Sequence, residues 1–90
     1  MKALQVFYEG RVQGVGFRYT TKQIAMGFDV AGWVRNLPDG RVELQVAGED
    51  DEVAAFLKEI EEDGELAGNI RHVERHATGL LEGVSGFSIR

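Results

Sequence analysis

The spacing of apolar residues along this 90-residue chain changes between two patterns, one typical of strands and one typical of helices. Apolar and polar residues alternate over 4–8 and 41–47, and residues common in strands also fill 30–37, 70–78 and 85–89. The sequence therefore predicts five strands, of which the last is short.

Two further stretches carry apolar residues at helical spacing. The first has a stripe at offsets of 4, 7, 8 and 11, and Gly27 is placed to end this helix as a left-handed cap. The second has a stripe at offsets of 3, 4 and 7, and we expect Asp50 or Asp51 to be its N-cap. The two stripes consist of Phe17, Thr21, Ile24, Ala25 and Phe28, and of Val53, Phe56, Leu57 and Ile60.

A turn over 38–40 separates the two predicted strands in the middle of the chain. Pro38 pre-sets the backbone of such a turn, and Gly40 permits a positive φ, so the two strands should form a hairpin. Along the second strand Glu43 and Gln45 alternate with apolar neighbours. We therefore expect one face of this strand to be buried and the other to face water.

The order of the elements is strand, helix, strand, strand, helix, strand, with a short strand added at the end. This order is that of an α+β ferredoxin-like βαββαβ sandwich, an antiparallel sheet with two helices on one face. Ninety residues are few for a domain, so we expect a single domain over residues 1–90. Because this fold supports many activities, the fold alone does not indicate a function.

Composition excludes several classes of function. A net charge of −5 argues against a nucleic-acid binder, which would carry a basic face. No stretch approaches the roughly 20 apolar residues of a membrane span, and residues 1–10 lack the pattern of a signal peptide. We therefore expect a cytoplasmic protein. The absence of cysteine excludes disulfides, a thiolate metal site and a cysteine nucleophile.

The loop over 10–16 contains three glycines in seven residues and leads into the first predicted helix. Its free N–H groups and the positive end of the helix dipole meet at one point, which suits a phosphate. Arg18, in the first turn of the helix, can reach back and bind two phosphate oxygens. From these residues alone, a tight turn beside a surface arginine is an equally good interpretation.

Known nucleotide-binding loops do not match this segment. It lacks the third glycine of a dinucleotide fingerprint and the Gly-Lys-Ser/Thr of a triphosphate loop. Residues 10–17 also contain no Cys, Ser or Asp nucleophile, so the attacking group should be water. Asn36 could orient that water because an amide both donates and accepts hydrogen bonds. An ordinary turn-forming asparagine is the commoner reason for this residue beside a turn.

Two longer motifs resemble the signatures of the acylphosphatase family. The first is Gly10-Arg11-Val12-Gln13-Gly14-Val15-Gly16-Phe17-Arg18, and the second is Gly32-Trp33-Val34-Arg35-Asn36, followed by Gly40-Arg41-Val42 and Gly48. The resemblance implies that Arg18 and Asn36 are catalytic. It also implies a phosphate cradle formed by the backbone of Gln13, Gly14, Val15, Gly16, Phe17 and Arg18. The chain departs from the family mainly over 64–69, a loop where many relatives carry Gly-Pro.

The resemblance implies a hydrolase that splits the carboxyl–phosphate anhydride of acyl phosphates by in-line attack of water, with no metal and no cofactor. The end of the chain at Arg90 favours a free-standing enzyme over the acylphosphatase-like domain of hydrogenase-maturation carbamoyltransferases, for which carbamoyl phosphate would be the substrate. We expect a monomer that binds a small-molecule acyl phosphate as its substrate. We expect it to interact with neither nucleic acid nor a membrane.

Two alternatives belong to other classes of protein. A non-catalytic phosphate sensor would use the same cradle and turn nothing over. An RNA-binding module shares the order of elements, but it would need stacking aromatic residues on its central strands, and 41–46 contains none.

Overall fold

A five-stranded sheet with two helices makes up the computed structural model, which describes residues 1–79 and 84–90. The strands are β1 Lys2–Gly10, β2 Val30–Asn36, β3 Val42–Gly48, β4 Ile70–Ala77 and β5 Phe87–Ile89, and the helices are α1 Phe17–Ala25 and α2 Asp50–Lys58. A π-helical turn over Glu59–Asp63 continues α2, and a 3₁₀ turn over Ala67–Asn69 precedes β4.

The strands lie in the order β4-β1-β3-β2-β5. Neighbours among the first four are antiparallel, with Leu4 opposite Val46 between β1 and β3. The short β5 runs parallel to β2, and Val34 pairs with Ile89 there. The ferredoxin-like fold predicted from the order of elements is confirmed, and β5 extends its sheet by one strand.

One face of the sheet packs against both helices and forms the core. Both predicted helical stripes face this core, although Ile24 and Phe28 are only partly buried. Each fully buried large apolar side chain contributes about 1.5–3 kcal/mol, which ties the helices to the sheet. The core residues are Val6, Tyr8, Val12, Phe17, Ala25, Val34, Val42, Leu44, Val46, Val53, Phe56, Leu57, Ile60 and Leu66. Across residues 1–79 and 84–90, no helix has the length and apolar content to cross a membrane.

The end of α1 differs from the prediction. Gly27 does not adopt a left-handed conformation, and Met26 beside it is right-handed. Instead the chain tightens after Ala25, where the Gly27 N–H donates to the Ile24 carbonyl at 3.0 Å. The prediction of a left-handed cap was wrong because this tighter turn satisfies the last carbonyls of the helix without a positive φ.

The N-cap of α2 also differs from the predicted one, by one or two residues. Glu49, in an extended conformation, is the N-cap, and its carbonyl accepts from the Val53 N–H at 2.9 Å. Asp50 and Asp51 lie in the first turn instead, where their charges interact favourably with the helix dipole. The prediction of Asp50 or Asp51 as the cap was wrong because consecutive acidic residues fit several helix starts equally well.

The sheet face without helices is more covered than the alternation in β3 predicts. Glu43 is only 3% exposed, so the expectation that it faces water was wrong. Its carboxylate accepts hydrogen bonds from Gln5 Nε2 and Arg35 Nε, both at 2.7 Å, and from Gln45 Nε2 at 3.4 Å. The central position of β3 explains this burial, because long side chains from both neighbouring strands fold over it.

The ion pair between Glu43 and Arg35 predicts a dependence of stability on pH. Burial opposes ionisation of Glu43, but hydrogen bonds from Gln5, Arg35 and Gln45 outweigh it and lower the pKa below its ordinary value of 4.5. A carboxylate with a lowered pKa stabilises the fold above the pKa of the unfolded chain, and this stabilisation is lost as the pH falls through the folded pKa. We expect Glu43→Gln to lower the free energy of unfolding at pH 7 by about 1–2 kcal/mol.

Urea unfolding at pH 7 and at about pH 3 measures this effect, and the difference between wild type and Glu43→Gln should shrink at the lower pH. Glu62→Gln, at an exposed position, is the control and should change little at either pH. An equal loss of stability at both pH values would contradict the role assigned to the charge.

The Thr21 hydroxyl on α1 offers a second test of the packing. Thr21 is buried, and its Oγ1 has no hydrogen-bond partner among the described residues. An unsatisfied buried hydroxyl is destabilising, and valine has the same branched shape without it. We expect Thr21→Val to raise the free energy of unfolding by about 1 kcal/mol in urea. Thr78→Val, at an exposed position, is the control, and a destabilised Thr21→Val protein would refute the interpretation.

Candidate active site

A pocket of about 210 Å³ opens where the loop after β1, the start of α1 and the end of β2 meet. Arg18 and Asn36, the two residues that the sequence singled out for chemistry, both lie in its wall. The lining residues are Val12, Gly14, Gly16, Phe17, Arg18, Tyr19, Asn36 and Ile89. The fold therefore brings the two predicted catalytic residues to one cavity.

The loop over 11–16 has the backbone geometry of an anion site. Gly14 and Gly16 have φ angles of 76° and 78°, in the left-handed region that favours glycine. The first helical hydrogen bond of α1 runs from the Thr20 N–H to the Gly16 carbonyl at 3.0 Å. Within the described residues, the N–H groups of 13–19 have no backbone acceptor. Such unpaired N–H groups at a helix start attract an anion.

Contacts with distant parts of the chain hold this loop in place. Gln13 Nε2 donates to the carbonyl oxygens of Leu37 at 2.8 Å and Arg41 at 2.9 Å, and so joins the loop to the hairpin after Asn36. At the start of the loop, the Arg11 N–H donates to the Asn69 carbonyl at 2.9 Å. The contacts of the Gln13 side chain could not be predicted from the sequence, because its acceptors are backbone atoms far along the chain.

Arg18 supplies the positive charge of the pocket. It lies in the first turn of α1, is partly buried, and forms no ion pair with a carboxylate of the described residues. The preceding residue, Phe17, is buried, and its ring packs on that of Tyr8 with 5.4 Å between centroids. The start of the helix is therefore anchored in the core, and its arginine keeps all its donors for a ligand.

Asn36 is the last residue of β2 and lies on the same face of the sheet as the buried Val34. Its Oδ1 is buried and has no hydrogen-bond partner among the described residues. The turn that follows is held by other groups: the Leu37 N–H donates to the Arg41 carbonyl at 2.8 Å, and the Arg41 N–H donates to Asp39 Oδ1 at 3.0 Å. The Asn36 side chain therefore lines the pocket and does not hold the turn.

Three residues of the pocket, Val12, Tyr19 and Ile89, were missed by the sequence analysis. Val12 directly precedes the predicted cradle. Tyr19 follows Arg18 on α1, and Ile89 comes from β5, which reaches the site through its parallel pairing with β2. Alternation in a three-residue strand carries too little information to predict that pairing. Val15 and Gln13, which the resemblance places in the cradle, belong to the loop, but their side chains do not line the pocket.

Comparison with known proteins identifies the family. The family model described as Acylphosphatase matches residues 4–89. The chain belongs to the acylphosphatase family. It is 40% identical over 90 residues to a protein of Methanospirillum hungatei named Acylphosphatase, covering 100% of this chain and 98% of that protein. The resemblance predicted from the two motifs is confirmed.

Solved structures agree with this membership in the acylphosphatase family. The crystal structure of acylphosphatase from Bacillus subtilis has a TM-score of 0.88 and 34% identity, covering 100% of this chain and 99% of that one. The structure of T. kodakarensis HypF has a TM-score of 0.85 and 28% identity, but this chain covers only 12% of its length. The predicted class of enzyme, an acyl phosphate hydrolase, is confirmed by the family, while the roles of single residues stay predictions.

The hydrogen bonds of Gln13 give a prediction for this site. Gln13→Ala removes both bonds that fix the loop to the hairpin, so the N–H groups and Asn36 lose their fixed relation. We expect kcat/KM for an acyl phosphate such as benzoyl phosphate to fall by about tenfold or more, because small misplacements are costly in catalysis. Gln23→Ala, exposed on α1, is the control. A folded Gln13→Ala protein with wild-type kcat/KM would show that the two hydrogen bonds of Gln13 are not needed for catalysis.

Proposed function

We propose that this chain hydrolyses acyl phosphates in the pocket, with Arg18 and the loop binding the phosphoryl group and Asn36 positioning the attacking water. One observation carries the proposal: Asn36, whose buried Oδ1 has no hydrogen-bond partner among the described residues, lines the same pocket as Arg18. Buried polar atoms are nearly always satisfied, so an asparagine amide that lacks a protein partner beside the pocket is suited to hydrogen-bond a water molecule.

The phosphoryl group would lie against the loop, with the backbone of residues 13–18 as its cradle. Phosphoryl transfer proceeds through a transition state whose charge is spread over the equatorial oxygens. The planar guanidinium of Arg18 can bind two of these oxygens at once, and the N–H groups beside Gly14 and Gly16 can bind the others. Donors that are fixed before the reaction stabilise this charge without reorganisation during it.

The bonds change as follows in this proposal. Water attacks phosphorus opposite the leaving group, the bond from phosphorus to the carboxyl oxygen breaks, and the carboxylate leaves with the electron pair. A carboxylic acid has a pKa of about 4, so this leaving group departs without a proton. Asn36 orients the water but cannot take its proton. Since no Asp, Glu or His lines the described pocket, that proton passes to a phosphoryl oxygen of the substrate.

The scheme requires no metal ion and no cofactor, because Arg18 and the loop supply the positive charge. It also restricts the substrates. Alkyl phosphate esters expel an alkoxide, which needs a proton that no group in this pocket is placed to give, so they should be poor substrates.

We further propose that residues 1–90 form one domain and that the protein is a monomer in the cytoplasm. We also propose that it does not bind nucleic acid. The net charge of −5 supports the last point, and the absence of cysteine suits a reducing compartment. Light scattering after size-exclusion chromatography tests the monomer, and a dimer in solution would contradict it.

Hydrolysis of benzoyl phosphate in the presence of a chelator tests the assigned roles. We expect metal-independent turnover by the wild type and a loss of kcat of about 10²–10³-fold or more in Arg18→Ala and in Asn36→Ala. Inhibition by inorganic phosphate separates the two roles: it should be lost in Arg18→Ala and kept in Asn36→Ala. Arg71→Ala removes an exposed arginine of β4 and is the matched control.

Two results would contradict the proposal. If the folded wild type binds inorganic phosphate but hydrolyses no acyl phosphate, the chain is a phosphate sensor. If the chelator abolishes turnover, a metal takes part in the reaction and the scheme without one is wrong.

A further inference from the structure

Two exposed apolar side chains lie at the mouth of the pocket. Five large apolar residues of the described chain are exposed, and two of these, Tyr19 at 63% and Ile89 at 39%, line the pocket. Single exposed apolar residues are common on protein surfaces and need no explanation. Two that come from different elements and line one pocket do need one.

The two residues come from different parts of the fold. Tyr19 lies on α1, and Ile89 lies on β5. Tyr19 and Ile89 both line the pocket, together with Arg18, which is proposed to bind the phosphoryl group. The packing of the core does not require Tyr19 or Ile89, because neither belongs to the core or packs against it. These side chains are therefore available to contact a ligand.

The chemistry of the substrate determines which part meets these side chains. Once the phosphoryl group occupies the loop and Arg18, the acyl group has to extend toward the mouth. There it meets the ring of Tyr19 and the branched side chain of Ile89. Both favour contact with an apolar acyl group, because burial of apolar surface is the driving force for binding at such sites.

A carbamoyl group fits this mouth poorly. Its NH₂ needs hydrogen-bond acceptors, and the polar side chains of the described lining are Arg18, Asn36 and the Tyr19 hydroxyl. Arg18 has only donors, and Asn36 is engaged with the water in the proposed reaction. The described lining therefore offers a carbamoyl group at most one side-chain acceptor, the Tyr19 hydroxyl, and its apolar side chains offer no hydrogen bond.

We propose that Tyr19 and Ile89 form an acyl-binding surface that makes this site select acyl phosphates with a bulky apolar acyl group over acetyl phosphate and carbamoyl phosphate. This inference rests on the proposed function, because it concerns the substrate of the same pocket. Tyr19 and Ile89 are specificity-determining residues, and their contacts are with the part of the substrate that does not react.

The test compares kcat/KM for benzoyl, acetyl and carbamoyl phosphate in the wild type, Tyr19→Ser, Tyr19→Phe and Ile89→Ser. The quantity that matters is the ratio of kcat/KM for benzoyl phosphate to that for acetyl phosphate, since differences in intrinsic reactivity cancel between proteins. We expect this ratio to fall about tenfold in Tyr19→Ser, and also to fall in Ile89→Ser. Tyr19→Phe keeps the ring and should keep the ratio.

Met26→Ser is the matched control, because Met26 is 73% exposed and lies just after α1, outside the pocket. It should leave the ratio unchanged. Circular dichroism and urea unfolding establish whether each variant is folded. If Tyr19→Ser does not fold, Ile89→Ser gives an independent result.

The outcomes separate this inference from the proposed function. A ratio in folded Tyr19→Ser and Ile89→Ser equal to that of the wild type would overturn the acyl-binding surface while hydrolysis itself stands. Faster wild-type hydrolysis of carbamoyl phosphate than of benzoyl phosphate would overturn it as well. Phosphate binding without turnover of any of the three compounds would overturn the proposed function, and the acyl-binding surface with it.

Discussion

Unpaired N–H groups in the loop after β1 are the constraint on which the rest of the site depends. A loop that keeps its N–H groups for a ligand cannot be stabilised by its own backbone hydrogen bonds. Here the Gln13 side chain, the buried Val12 and the bond from Arg11 to Asn69 hold it instead. The two bonds of Gln13 end on the hairpin after Asn36. The same contacts therefore fix the cradle and set its position relative to the residue proposed to hold the water.

The topology of the sheet then gathers the remaining parts of the pocket. β1 and β2 both pair with β3 and run parallel to each other, so the loop after β1 and the end of β2 lie at the same end of the strands. Asn36 lies on the face that the helices cover, which removes its side-chain oxygen from solvent. The parallel strand β5 places Ile89 beside the same end. Catalysis and selectivity are thus proposed to arise from neighbouring elements of one small fold.

Features set by neighbouring residues could be predicted from the sequence, and features set by distant contacts could not. The stripe of α2 and the turn at Gly40, whose φ is 96°, follow from local patterns and agree with the structure. The burial of Glu43 depends on Gln5 and Arg35 from other strands, so the alternation along β3 wrongly predicted that Glu43 is exposed. The catalytic part of the site could be predicted because two long motifs mark its loop and its strand end, whereas its apolar mouth has no such motif.

Titration of ¹⁵N-labelled protein with inorganic phosphate, followed by NMR, shows whether the loop binds the anion, because it reports on each N–H group of the loop. If it does, we expect the largest shifts at the amides of residues 13–18, and we expect them to disappear in Arg18→Ala. Phosphate binding that leaves these amides unchanged and shifts others instead would contradict this expectation, because the loop would then not be the anion site.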